Sequence, residues 1–160
     1  MTIFQPLFSG SSGNCSLIRS DGGALLVDAG VSCRSIVSAL SQAEVLPREI
    51  NGILVTHEHV DHIRGVGVLA RKYGMEVYAS AGTWAAMADK VGEIPVRQRC
   101  EFYPDQDFYI DRVNVAPFDI PHDAAQPTGY CLTSGGKKVS LLTDLGHTTR
   151  EILSRVEGSD

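Results

Sequence analysis

The apolar positions of this chain fall into short runs that alternate with helical spacings up to about Gln98, and into short runs alone beyond it. Phe4 to Phe8 and Cys15 to Ile18 are apolar pieces flanking the small-residue stretch Ser9-Gly10-Ser11-Ser12-Gly13-Asn14. Ala24-Leu25-Leu26-Val27 reads as a short buried strand, joined to the preceding run by a turn at Asp21-Gly22-Gly23, so a hairpin is expected. Helical spacing follows. Ser32 is placed to cap, and Cys33, Ile36, Val37 and Leu40 share one apolar face that should cover one side of the sheet. Pro47 suits the first turn of a short helical piece. Ile53-Leu54-Val55 is the central buried strand, surfacing at Thr56, and Ile63, Val66, Leu69, Ala70 and Tyr73 predict a helix entered at Asp61. Glu76 to Ala79 is a further strand, with Thr83 the cap of a helix carrying Trp84, Met87, Ala88 and Val91. This succession predicts helices packed on a sheet.

The texture changes over residues 99–142, where several short strands form a meander without an obvious helix, broken at Pro104-Asp105-Gln106, Asp111-Arg112 and Ser134-Gly135-Gly136. Arg97 and Arg99 alternate outward on a possible strand, a solvated face in preference to a phosphate clamp. Val113, Val115, Phe118 and Ile120 predict a strand bent at Pro117 and ending at Pro121-His122-Asp123. Val139 to Leu142 predict another, with the polar end Thr143-Asp144-Leu145-Gly146. Thr148 to Val156 looks like a capped helix with Ile152, Leu153 and Val156 on one face.

At 160 residues, with 43% hydrophobic and 21% charged residues, the chain suits one soluble domain with a sizeable core. Met1 to Pro6 lack a basic lead followed by a long apolar run, so neither a secretory signal nor a membrane span is expected, and the default location is cytoplasmic. Cys15, Cys33, Cys100 and Cys131 are widely spaced, which argues against a zinc ribbon or redox pair and for reduced, mostly buried thiols. The net charge of −5 argues against a broad basic surface for coating nucleic acid but not against local engagement of phosphates.

Chemistry concentrates in Thr56-His57-Glu58-His59-Val60-Asp61-His62. His57 and His59 project to the same side of an extended segment, and Asp61 and His62 enter the helix pointing in different directions, so one ion is offered to each pair. Two-metal hydrolases keep such ions ~3.5–4 Å apart. Imidazole and carboxylate donors suit zinc, iron or manganese. His122 lies at another strand end, where it can complete the His57/His59 site, and Asp144 can place one oxygen on each of two ions. Asp28 has two readings, orienting a histidine or capping its turn. So has Ser9 to Asn14, a plain hairpin loop or a loop whose backbone N–H groups approach an anion; it lacks the lysine of a nucleotide-binding P-loop.

The spacing of His57, His59, Asp61 and His62 resembles the HxHxDH motif of the metallo-β-lactamase fold superfamily. The SGSSGN loop, LLVDAG, THEHVDH, the PHD segment and TDLG together look like its YycJ/WalJ-type, nuclease-like branch. The resemblance implies an α+β fold, the αββα sandwich, of which residues 1–160 would be the N-terminal half to two-thirds, with the C-terminal part missing. It implies two divalent metal ions, one on His57, His59 and His122, the other on Asp61 and His62, with Asp144 bridging. A cysteine commonly stands at the Asp144 position in metallo-β-lactamases proper, so antibiotic hydrolysis is not expected. The superfamily's further histidine on the second metal has no counterpart, because His147 follows Asp144 too closely and reads as a loop or helix-start residue. A sheet face left uncovered would promote self-association. The expected activity is that of a metal-dependent phosphodiesterase or nuclease, exonuclease-like, acting on nucleic acid with Asp61 as catalytic residue and Ser11, Ser12 and Asn14 lining the substrate cleft. A glyoxalase II-like thioesterase and a non-catalytic metal-binding fragment are the competing readings.

Overall fold

A computed structural model describes residues 2–21 and 23–160; Met1 and Gly22, part of the expected turn at 21–23, lie outside them. Strands β1 (Ile3–Phe8), β2 (Cys15–Ser20) and β3 (Gly23–Val27) pair antiparallel. Strands β4 (Ile50–Leu54), β5 (Glu76–Ser80) and β6 (Arg99–Phe102) then add in parallel, giving a six-stranded sheet in sequence order. Helices α1 (Cys33–Gln42), α2 (Val60–Ile63), α3 (Val66–Tyr73) and α4 (Ala81–Val91) lie in the crossovers between parallel strands. A second, antiparallel sheet of β7 (Phe108–Ile110), β8 (Val113–Asp119), β9 (Thr128–Ser134) and β10 (Lys137–Leu141) runs in the order β10-β9-β8-β7. Helix α5 (Arg150–Val156) follows it.

Three apolar clusters separate four layers. Leu17, Leu26 and Ile53 face Ile36, Leu40, Leu69 and Met87 of the helices. Their sequence neighbours Ile18, Leu25, Val27 and Leu54 point the other way, against Val113, Val115, Tyr130 and Leu132 of the second sheet. Burial on both faces is why these strands read as unbroken apolar runs. Ile152 of α5 closes the outer face of the second sheet over Phe118, Ile120 and Cys131. The result is the αββα arrangement. The second sheet covers the inner face of the first at β2 to β4, while Phe4 of β1, paired with Ile18 on that face, stays 46% exposed.

Local expectations held where a single residue carries the signal. Ser32 Oγ accepts from Ser35 N at 3.1 Å, and Pro47 opens a 3-10 turn. Others are corrected. The meander loses its first strand, because β6 joins the parallel sheet. Ser80 rather than Thr83 caps α4, and Thr149 caps α5. The helix entered at Asp61 breaks into α2 and α3 at Gly65, whose N–H donates to Ala29 O at 2.7 Å and where a Cβ would lie 2.6 Å from Val31 O. The strand expected across Pro117 is continuous, with Pro117 in register with Tyr130. β7 reaches only to the level of Val115, and the Pro117 carbonyl accepts from Asp105 N on that open side, so a missing N–H there breaks no ladder.

Candidate metal centre

Parallel strands deliver the polar ends of their runs to one edge of the sheet, and the ligand candidates collect there. Thr56 was expected to surface. It is fully buried instead, and every polar atom it has is engaged. Its N–H donates to Asp28 Oδ1 and its hydroxyl to Asp28 Oδ2, both at 2.8 Å, while its carbonyl accepts from Thr128 N at 2.9 Å. With its proton given to Asp28, the Thr56 hydroxyl accepts from His57 Nδ1 at 2.9 Å. That network assigns the proton to Nδ1 and leaves the Nε2 lone pair of His57 free.

Asp28 decides its own two readings. It is 1% exposed and sits at φ 61, and Oδ2 accepts from His62 Nδ1 at 2.7 Å, which turns His62 Nε2 outward in the same way. Burial lowers the pKa of His62, but the Asp28 hydrogen bond and the charges of Asp28, Asp61 and Asp144 outweigh it and the net direction is up. Burial also raises Asp28, against its hydrogen bonds to His62 and Thr56. The two directions describe one proton held tightly between a buried pair. His57 moves oppositely: burial, then the neighbouring His62, His59 and His122, push it down to about 3, so it is neutral at physiological pH.

Two groups of donors converge. In the first, His57 Nε2 is 3.1 Å from His59 Nδ1, which is 3.4 Å from His122 Nε2. A tetrahedral ion with nitrogen ligands at ~2.0–2.1 Å separates those nitrogens by ~3.3–3.4 Å, so the trio fits zinc-like geometry. In the second, Asp144 Oδ2 is 2.8 Å from His62 Nε2 and 3.6 Å from His57 Nε2. Asp61 stands beside this group, its Oδ2 3.6 Å from His62 Nε2. Lone pairs at these spacings repel one another unless a proton or a metal ion is shared among them.

Asn14 also reaches the centre. Its Nδ2 lies 3.4 Å from Asp61 Oδ2 and 3.2 Å from His62 Nε2. Its backbone N–H donates to Asp61 O at 2.8 Å and its carbonyl accepts from Gly30 N at 2.7 Å. Ser9 to Asn14 thus forms the β1–β2 hairpin loop, with its last residue at the site. Ser11 and Ser12 are exposed at its turn, and His147 is an exposed loop residue before α5. A cavity of about 250 Å³ adjoins the centre, lined by Phe4, Phe8, Asn14, Asp28, Leu142 and Thr143. Sequence reasoning missed Thr56 as a hub; its only signal was a threonine between an apolar strand and a histidine.

A family model described as Metallo-beta-lactamase superfamily matches residues 9–159. Exodeoxyribonuclease YycJ of Bacillus anthracis is 40% identical over 157 residues, 98% of this chain and 60% of that protein. Exodeoxyribonuclease WalJ of Streptococcus pneumoniae serotype 2 (strain D39) is 40% identical over 159 residues, 98% of this chain and 59% of that protein. The chain therefore spans about 60% of the length of these relatives. Among solved structures, zinc-bound PqqB from Methylobacterium extorquens has a TM-score of 0.76 at 23% identity, covering 92% of this chain and 57% of its own. A HARLDQ-motif mutant metallo-beta-lactamase from Cronobacter sakazakii has a TM-score of 0.71 at 20% identity, covering 91% and 68%. These two likenesses concern the fold alone. No helix of the described residues is long and apolar enough to cross a membrane.

Proposed function

The chain belongs to the metallo-beta-lactamase superfamily, and from that premise we propose that it carries the metal centre of a metal-dependent hydrolase that cleaves phosphodiester bonds in nucleic acid, DNA foremost. The observation that carries the reading is the convergence of His57 Nε2, His59 Nδ1 and His122 Nε2 beside His62, Asp61 and Asp144. Two relatives named exodeoxyribonucleases supply the substrate class and the exonuclease-like mode.

In the proposed centre His57, His59 and His122 would hold one divalent ion and Asp61 and His62 a second, with Asp144 available to both; zinc, manganese or iron suits these donors. When bound, such ions polarise a phosphoryl oxygen and bring the pKa of a coordinated water towards neutrality. The chain's own groups do the remaining work. Asp28 and Thr56 keep protons on Nδ1 of His62 and His57, so both Nε2 atoms face the centre as acceptors. Asp61, with 35% of its side chain exposed, orients the attacking water and takes its proton on a carboxylate oxygen. Asn14 Nδ2 holds that carboxylate in place from the loop side. Ser11 and Ser12, on the same loop, line the approach for substrate. A cytoplasmic location accompanies this reading, in keeping with four free cysteines.

Asp61→Ala, assayed on DNA and RNA with metal supplied, should lose ~10²–10⁴-fold in cleavage rate while the histidine trio still binds an ion. Unchanged cleavage would refute the role of Asp61. Metal uptake by the wild-type chain without any hydrolysis would reduce the reading to metal binding.

A further inference from the structure

Glu58 lies between two of the proposed ligands in sequence, yet its side chain is buried, with 8% exposure. In extended backbone, alternate residues face opposite ways, so with His57 and His59 aimed at the centre Glu58 is turned from it. Its Oε1 accepts from Ala125 N at 2.9 Å, while Oε2 is buried without a partner among the described residues. Its carbonyl accepts from Lys90 Nζ at 3.0 Å. Burying a carboxylate oxygen unpaired costs free energy, and a group that keeps such a cost invites a functional explanation.

Ala125 belongs to the segment between β8 and β9 that carries His122. That segment is tied elsewhere to the scaffold: Gln126 O accepts from Ser80 Oγ and Thr83 Oγ1, and Gln126 Oε1 from Gly82 N. Towards the histidine loop it makes the backbone bond Thr128 N to Thr56 O and the Glu58 side-chain bond. Glu58 is thus a side-chain clamp between the loop of His57 and His59 and the loop of His122.

We propose that Glu58 is a positioning residue for the metal centre: by accepting the Ala125 N–H it fixes the spacing of the two loops at which three ring nitrogens can share one ion. The inference rests on the reading of His57, His59 and His122 as ligands. Its role is separable from the chemistry of hydrolysis, because Glu58 touches none of those nitrogens.

The test titrates metal-free wild type, E58Q and E58A with Co²⁺ and Zn²⁺ against a competing chelator, recording the visible Co²⁺ spectrum and the metal-free melting temperature. E58A should weaken the first ion ~10–100-fold and alter the Co²⁺ spectrum, as loss of a partner supporting metal ligands does. E58Q, which keeps an oxygen for Ala125 N–H, should restore both. If E58A gives no folded protein, E58D takes its place, its carboxylate withdrawn by one methylene, with weakening again expected. Unchanged affinity and spectrum in E58A or its substitute would overturn the proposal, as would a loss in E58Q equal to that in E58A. Wild-type protein that binds neither ion would overturn the ligand reading together with the inference. No cleavage assay enters, so a failure of the nuclease reading alone leaves this result standing.

Discussion

Asp28→Asn isolates the charge of a side chain that touches no proposed ion. Asp28 accepts three hydrogen bonds while buried: from Thr56 N and Thr56 Oγ1 at 2.8 Å, and from His62 Nδ1 at 2.7 Å. Bonds to a charged group contribute ~1.5–3 kcal/mol and neutral ones ~0.5–1.5. Asparagine keeps the Thr56 N bond at neutral strength and puts an NH₂ group in place of Oδ2, the acceptor for both the Thr56 hydroxyl and His62 Nδ1, so both of those bonds are lost as made. The summed loss is ~3–5 kcal/mol, the range found when one partner of a buried pair is removed. For a domain of this size that lowers the melting temperature by ~6–20 °C. The ligand side suffers as well. An NH₂ donor at Nδ1 favours the tautomer with the proton on Nε2, the atom facing Asp144, so metal affinity there should fall ~10–100-fold. Calorimetry of the metal-free protein reads the first effect, and chelator competition with ¹⁵N imidazole spectra reads the second. A variant melting within a degree of wild type, with His62 still protonated on Nδ1, would refute the reasoning.

The pH dependence of the metal-free protein follows from two histidines moved in opposite directions. His57, lowered from 6.5 to about 3, stabilises the fold above its ordinary value, and that contribution is lost as pH falls between them. His62, raised above 6.5, stabilises it below that value and fades as pH climbs through the folded pKa. Stability measured by urea unfolding should therefore peak near 6.5; His57→Gln should flatten the acid limb and Asp28→Asn the alkaline limb, and a profile lacking either limb would contradict the assignment behind it. Gly30→Ala places a Cβ 1.6 Å from Asp61 O and 2.6 Å from Asn14 N, both backbone atoms. Overpacking of ~1–3 kcal/mol and the strained bonds around Asn14 should together cost at least ~3 kcal/mol, and an unchanged urea midpoint would show that the contact relaxes freely.

Residues 56 to 62 announced a candidate metal centre because four imidazole and carboxylate donors at a strand end have few other uses. Alternation, helical spacing, the Ser32 cap and Pro47 were equally legible, since each depends on residues a few positions apart. Which sheet β6 joins, what covers the inner face of the first sheet, and where the helix breaks at Gly65 were not. Those depend on surfaces brought together by folding, and a local pattern reports that a face is buried without naming what buries it. The same limit hid Thr56 and Glu58: their partners Asp28 and Ala125 lie 28 and 67 residues away, and hydrogen bonds of that span leave no periodicity in a chain. The sequence by itself determined the donor chemistry and the strand ends that present it. Only the tertiary structure decided which nitrogen of His57 and His62 faces the centre, because that choice belongs to the buried Asp28, which holds His62 directly and His57 through the Thr56 hydroxyl.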